Sequence, residues 1–400
     1  MQRSRIFTLF NIGLFLIILS TSNAWMFWHT STMMSAMLNI CALLLGWWYL
    51  SKHNYLRNRS RKIIPACFFL IIAFLWNSEA SLLGVGYLLI YVALWGVVMS
   101  YNSDGKNNIL QFQTKALALF LTISLVAWLV NFVYPLPNGG YISRDGNIIS
   151  YTTNYYLFIS SGILDIRFRS VFLEPGHLGC ITAFFILVNR FDFRKKEVVA
   201  LTVVLFFTLS FAGYVLFVMG YALNTFNTNK LSKTVSRLFI GLLVLVIGAQ
   251  ISTTYNGGRN DVNEKIIERI SPEGEGYEKN QRYTQIMESK LIDMVSSGEI
   301  IMGLSNSDYM KFRNDDTSAG LIPYLIHKGI LGTLCLFLGY LIIALDSKYR
   351  KWAICVFILY CFSFFQRTYF SWASYLIPFI CGTALPDCRN HISASYKNNN

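Results

Sequence analysis

A chain of 400 residues is ordinarily long enough for two or three soluble domains, but this one is 54% hydrophobic and 16% aromatic, with only 14% charged residues. A globular domain usually carries about 25% charged residues, and no soluble protein of this size has an interior able to hide so much apolar surface. With a mean hydropathy of +0.44, the composition excludes a secreted, cytosolic or fibrous protein and points to a membrane protein of many spans. The formal charge of +13 is unevenly spread: residues 252–320 hold 12 acidic and 8 basic side chains, and the remainder carries +17 in short clusters between apolar runs. That distribution sets topology and is not a nucleic-acid signature, so no nucleic-acid partner is expected.

In chain order, Arg3 and Arg5 precede an apolar run at 6–20. It reads as a signal-anchor span, because the cleavage-like stretch Thr21 to Ala24 is weak and a second apolar run follows at once. Further spans are predicted at 31–50, 63–77, 82–100, 116–134, 171–189, 238–251 and 321–345. Two runs are too long for one crossing. Val198 to Phe226 is broken by Thr208-Leu209-Ser210-Phe211-Ala212-Gly213, and Ala353 to Leu385 by Gln366-Arg367-Thr368. Each is predicted to be a pair of short helices, giving an all-α polytopic protein with about 12 spans in a single integral membrane domain over 1–400.

The positive-inside rule supports this division, since the loops then assigned to the cytoplasm hold 21 of the 34 Lys and Arg residues. Both termini face the cytoplasm in this scheme, with 386–400 a polar cytoplasmic tail. Residues 135–170 and 252–320 become large outward loops, and the second is predicted to contain an amphipathic helix over Glu278 to Ser297. The eight cysteines fall in apolar segments or in the tail and show neither CxxC nor Cys/His spacing, so no disulfide and no metal site are expected. There is no evident internal repeat, which disfavours transporter folds built from two related halves.

Ionisable groups at the membrane edge are functional candidates because burying them unpaired is costly. The densest set is Arg167-Phe168-Arg169-Ser170-Val171-Phe172-Leu173-Glu174-Pro175-Gly176-His177. Pro175 suits the first turn of a helix, and Glu174 before it would sit at the positive helix end, which favours an ionised carboxylate. His177, one turn on, is placed to share a proton with Glu174. An extended approach would put Arg167 and Arg169 on one face. The structural alternative is that Glu174 caps the helix while the arginines snorkel to headgroups. Arg259, Arg269, Arg282 and Arg313 stand in the long outer loop with Asp308, Asp315 and Asp316, and Arg367 interrupts an apolar hairpin. The planar guanidinium of arginine grips two oxygens of a diphosphate at once. Nucleotide, zinc-protease, hydrolase and DxD signatures are absent, which counts against nucleotide hydrolysis and against a cytosolic sugar-nucleotide transferase.

Three stretches resemble the bacterial O-antigen polymerases, which share a superfamily of membrane glycosyltransferases with the O-antigen ligases. Arg169 to Gly176 is similar to that family's Arg-x-x-Phe-x-Glu-Pro at the start of a central helix. Thr208-Leu209-Ser210 resembles its Thr-x-Ser-Arg-Gly turn, with Phe211-Ala212-Gly213 where an arginine is often found. Asn280-Gln281-Arg282, then Gly303, then Tyr324-Leu325-Ile326-His327-Lys328-Gly329-Ile330-Leu331-Gly332 resemble the end of the large periplasmic loop and the following helix. Ser318 stands where ligases usually place a histidine, which favours polymerase over ligase.

The resemblance implies a GT-C-like fold in the bacterial inner membrane, with an active site at its periplasmic face and no cofactor. The donor would be a glycan on undecaprenyl diphosphate, transferred to a sugar hydroxyl of another lipid-linked repeat unit of O-antigen, capsule or exopolysaccharide. On this reading Glu174 is the base, His177 the alternative base, Arg169, Arg282 and Arg367 hold the diphosphate, and Arg167 and Tyr324 contact substrate. A chain-length regulator is an expected partner by analogy. The alternatives are an O-antigen ligase, a lipid-linked oligosaccharide flippase or other transporter, and a scaffold protein.

Overall fold

The computed structural model describes residues 2–52, 62–144, 152–160, 166–228, 250, 253–254, 263, 285–313, 320–366 and 371–384. The first half contributes α1 (Gln2–Thr21), α2 (Thr32–Lys52), α3 (Ile63–Leu75), α4 (Leu82–Ser100) and α5 (Ser103–Val133). The second contributes α6 (Pro175–Val188), α7 (Lys196–Phe207), α8 (Phe211–Thr228), α9 (Gln285–Ser297), α10 (Asn306–Arg313), α11 (Leu321–Leu345), α12 (Arg350–Gln366) and α13 (Ala373–Gly382). Four of these, α2, α4, α5 and α11, are long and apolar enough to cross a membrane, and several others are shorter apolar helices. Large apolar side chains such as Trp47, Ile64, Leu82, Leu83 and Leu119 point outward, the surface expected of a protein seated in hydrocarbon rather than water.

Side-chain caps start the helices where the sequence supplies them. Ser81 accepts a hydrogen bond from the Gly84 N–H at the head of α4, and Asn102 Oδ1 accepts from the Gly105 N–H at the head of α5. The second cap explains why α5 begins well before the predicted 116. Its polar early turns are buried by packing, with Gln113 Nε2 donating to Asn11 O at 2.9 Å and Asn189 Nδ2 to Thr114 Oγ1 at 2.9 Å.

Both long apolar runs divide as the sequence predicts. The first breaks between Phe207 and Phe211, with Leu209 at φ 44°, and the second ends one helix at Gln366 and starts the next at Ala373. The predicted span at 238–251 lies outside the described residues except for Gln250. The predicted amphipathic helix Glu278 to Ser297 is observed over its described part as α9, with Met287 and Met294 buried and Ile286 exposed, and residues 278–284 lie outside the described residues.

The purely helical expectation misses one feature in the 135–170 loop. β1 (Tyr141–Ile142), β2 (Thr152–Asn154) and β3 (Ile159–Ser160) form an antiparallel sheet in the order β1-β2-β3. Tyr141 pairs with Thr153 and Asn154 with Ile159. Aromatic and β-branched residues favour such short pairings.

α6 and α13 form the centre of the molecule. Every residue of α13 is buried, as are His177 to Val188 of α6. α13 packs against α1, α4, α5, α6 and α12, while α6 packs against α7 and α8. α6 and α8 run side by side in the same direction and touch through glycines: a side chain on Gly213 would meet the Gly179 carbonyl carbon at 2.7 Å, and one on Gly179 would meet Ser210 Cβ at 2.4 Å.

Candidate active site

Glu174 occupies the N-cap of α6 with an extended backbone (φ −135°, ψ 146°), and Pro175 opens the first turn. Its carboxylate makes no capping bond. It turns instead toward His177, with Glu174 Oε2 and His177 Nε2 3.7 Å apart. That is an ionic approach, longer than a hydrogen bond. The two side chains differ sharply in exposure: 40% for Glu174 against 4% for His177. The imidazole lies edge-on to Trp372, with ring centres 5.0 Å apart and planes at 84°. A buried ring thus stands next to an accessible carboxylate at the N-terminal end of α6, where the helix dipole favours negative charge.

The approach to α6 is fixed by backbone bonds from three directions. Trp25 N donates to Val171 O at 2.9 Å, Ile159 N to Ser170 O at 2.9 Å and Phe168 N to Phe207 O at 2.9 Å. Ser170 lies at φ 54° and accepts from Ser124, their hydroxyl oxygens 2.8 Å apart. This turn interrupts the extended path, so the two arginines grip different carbonyls. Arg169, 8% exposed, donates from Nη1 to Leu173 O at 3.2 Å, beside the peptide that leads into Glu174. Arg167 donates from Nε to Thr208 O at 3.4 Å. The first and second of the three singled-out stretches are therefore neighbours: the 208–210 turn carries Arg167 on one side and packs on Gly179 on the other.

The third stretch builds a second constellation. Gly303 (φ 78°) and Gly329 (φ 66°) approach backbone to backbone: a side chain on Gly303 would meet Gly329 N at 2.4 Å, and one on Gly329 would meet Gly303 N at 2.5 Å. At Gly329 α11 kinks, with ψ at −179°. Asn77, itself at φ 51°, donates from Nδ2 to Met302 O at 2.6 Å and to His327 O at 3.0 Å, and Trp76 Nε1 also donates to Met302 O at 2.9 Å. His327 Nε2 meets Asn77 O at 3.1 Å; a carbonyl only accepts, so this ring nitrogen carries the proton. The same ring stacks on Tyr309 at 4.4 Å, and Arg313 Nη1 donates to Tyr309 Oη at 2.7 Å. Lys328 Nζ donates to Phe74 O at 3.2 Å and to Trp76 O. At the head of α10, the Ser305 hydroxyl just before the helix and Lys311 within it hold the Asp308 carboxyl pKa below its ordinary value.

A cavity of about 410 Å³ lies between the two constellations. Trp372, which touches His177, lines one side, and Phe74, Leu75 and Ser78, adjoining Trp76 and Asn77, line the other. Tyr87 and Tyr91 of α4 complete an aromatic wall, with Tyr91 Oη donating to Ser371 O. The mixture of ring faces and hydroxyl groups suits a ligand having both apolar and polar surfaces.

Of the sequence-predicted residues, Arg167, Arg169, Glu174 and His177 are brought together around the α6 entry. Tyr324 is buried in the first turn of α11 among the side chains of the main core. Arg282 and Arg367 lie outside the described residues. Sequence reasoning missed Trp372 and Asn77. The signals present were an aromatic residue just before an apolar helix and an Asn-Ser pair between two apolar runs, both ordinary for turns. Comparison with known protein families, curated proteins and solved structures finds no match to this chain.

Proposed function

We propose that this chain is a glycosyltransferase of the bacterial inner membrane that polymerises oligosaccharide repeat units carried on undecaprenyl diphosphate. It does so at the periplasmic face, within a GT-C-like fold of about 12 spans whose termini are cytoplasmic. One observation carries the reading: the accessible Glu174 carboxylate lies 3.7 Å from the buried His177 ring, which touches Trp372 of an aromatic-lined cavity, with Arg167 and Arg169 in the same stretch of chain. A merely structural cap would bond the helix N–H groups, which Glu174 does not do.

In the reaction, the acceptor hydroxyl oxygen attacks the anomeric carbon of the donor glycan. The bond from that carbon to the diphosphate oxygen breaks, and its electron pair leaves with undecaprenyl diphosphate. Glu174 takes the hydroxyl proton, which is general-base work, at the positive end of α6. His177 sets the direction of that carboxylate. Arg169, which donates to Leu173 O, and Arg167, which donates to Thr208 O, stand beside this entry, and in this reading their guanidinium charge stabilises the leaving diphosphate, joined by Arg282 and Arg367.

The test is purified protein in nanodiscs with its lipid-linked repeat unit, without nucleotide or added metal, with product length read on a gel. A ladder is expected. Intact substrate from folded protein would move the assignment to a ligase or a transporter, and a deletion strain separates polymerase from flippase: loss of a polymerase leaves single repeats at the surface, whereas loss of a flippase leaves none.

A further inference from the structure

The surroundings of α11 change at the Gly329 kink. On the 330–345 side, Ile330, Leu331 and Leu334 are exposed while Gly332, Thr333 and Leu336 are buried, so one helix face presents an apolar stripe of the kind that meets lipid. On the other side of the kink, Ile326 is fully buried in a small second core with Met287, Met294, Ile300 and Tyr309, apart from the core of the helical bundle. The lipid-facing stripe therefore ends at Gly329. Beyond it α11 packs against α9, the Glu299–Ile301 turn and α10.

This packed segment meets the stripe with apolar side chains. Ile300 is 8% exposed, but the next two residues, Ile301 and Met302, are 50% and 53% exposed. Both lie against the kink: a side chain on Gly329 would meet the Met302 carbonyl carbon at 2.5 Å and Ile301 O at 2.6 Å. Ile301 and Met302 thus extend the apolar surface of Ile330 and Leu331 onto the neighbouring segment. Lys328, the charged residue next to the kink, does not interrupt it, being buried with Nζ on Phe74 O and Trp76 O at the end of α3.

The polar groups of the junction agree with apolar surroundings. A helix break frees backbone carbonyls, and in hydrocarbon each of them needs a partner from the protein, whereas in water the solvent supplies one. Here Met302 O accepts from two side chains, Trp76 Nε1 and Asn77 Nδ2, and His327 O accepts from Asn77 Nδ2. Ile326 O accepts from Leu304 N at 2.8 Å, and Gly329 O from Thr333 Oγ1 at 2.7 Å. An irregular backbone whose carbonyls are met by protein donors, with exposed apolar side chains, fits the boundary between acyl chains and headgroups.

We infer that Ile301 and Met302 insert into the acyl layer of the adjoining leaflet, so that the 299–303 turn anchors the 285–313 segment to the lipid beside α11. The partner is the bilayer itself. Asp308 and Lys311 of α10, exposed and paired at 3.4 Å, remain on the aqueous side. The anchor is separate from Glu174 and does not depend on the proposed reaction.

The experiment uses Ile301→Cys, Met302→Cys, Leu334→Cys and Asp308→Cys, each alone in a cysteine-free full-length chain, labelled with an environment-sensitive fluorophore and reconstituted in phosphatidylcholine nanodiscs. Each is exposed in turn to phosphatidylcholine carrying a nitroxide on the acyl chain near the headgroup, and to aqueous iodide. Positions 301 and 302 are expected to lose fluorescence to the nitroxide lipid as Leu334→Cys does and to be shielded from iodide, with Asp308→Cys showing the reverse. Quenching of 301 and 302 by iodide alone overturns the inference and puts the turn in water. Quenching by neither also overturns it and gives the surface to a protein, such as a second copy of this chain. Both side chains are exposed, so their replacement opens no buried cavity; should one variant fail to fold, the other carries the comparison.

Discussion

At the scale of single residues, the division of labour at the α6 entry follows from exposure. Glu174 is the group able to meet a substrate, and His177 is the group able to hold it. Glu174→Gln is expected to lower ladder formation by about 10²–10⁴-fold, the usual contribution of a general base, at unchanged protein level; wild-type chain lengths from that variant would remove Glu174 from the reaction. His177→Phe keeps a ring against Trp372 but removes both nitrogens, and the expected result is a folded protein with a smaller loss, about tenfold, read in the same gel assay. Glu174 and His177 were legible in the sequence because Glu-Pro followed by an apolar run marks a helix start, and polar groups there stand out. Trp372 was not legible. It reads as one more aromatic in an aromatic-rich chain, and only the chain path that returns α13 beside α6 shows which ring it touches.

At the scale of elements, two glycine contacts decide how closely helices and loops approach. Adding a methyl group at Gly179 or Gly213 forces α6 and α8 apart, and each alanine variant is expected to cost about 1–3 kcal/mol as overpacking, seen as a lower unfolding midpoint in detergent. Gly329→Ala combines a contact of 2.5 Å with a backbone conformation that only glycine adopts freely. A cost of about 1–3 kcal/mol is expected from the backbone alone, with detachment of the 299–313 segment visible as faster proteolysis there. An unchanged cleavage pattern would show that the Gly303–Gly329 contact does not hold the segment. The helices themselves were legible wherever one apolar run was bounded by polar residues. The start of α5 was not, because its early turns bury Gln113 and Thr114 against polar partners from α1 and α6, a pairing that hydropathy scores as surface.

At the scale of the whole molecule, one end gathers Thr21, Ser78, Ser371 and Trp372 around the larger cavity, and the other gathers Lys62, Lys106 and Lys348 around a smaller one. The proposed topology puts the first end outside and the second inside. In a cysteine-free background, a membrane-impermeant maleimide applied to intact spheroplasts is expected to label Ser81→Cys and to label Ser103→Cys only after the membrane is opened. Both positions are exposed and lie at opposite ends of α4. The reverse order of labelling would invert the orientation and move Glu174 and the Trp372-lined cavity to the cytoplasm.

The burial of α13 also bears on how such a chain is made. Its ten residues fill a channel walled by α1, α4, α5 and α6, all synthesised earlier. Those helices must wait, with an unfilled seam between them, until the ribosome has delivered the segment that closes it. Membrane insertion and completion of the core are therefore separate events in time. During the interval the seam needs a substitute occupant, whether lipid tails or the insertion machinery itself.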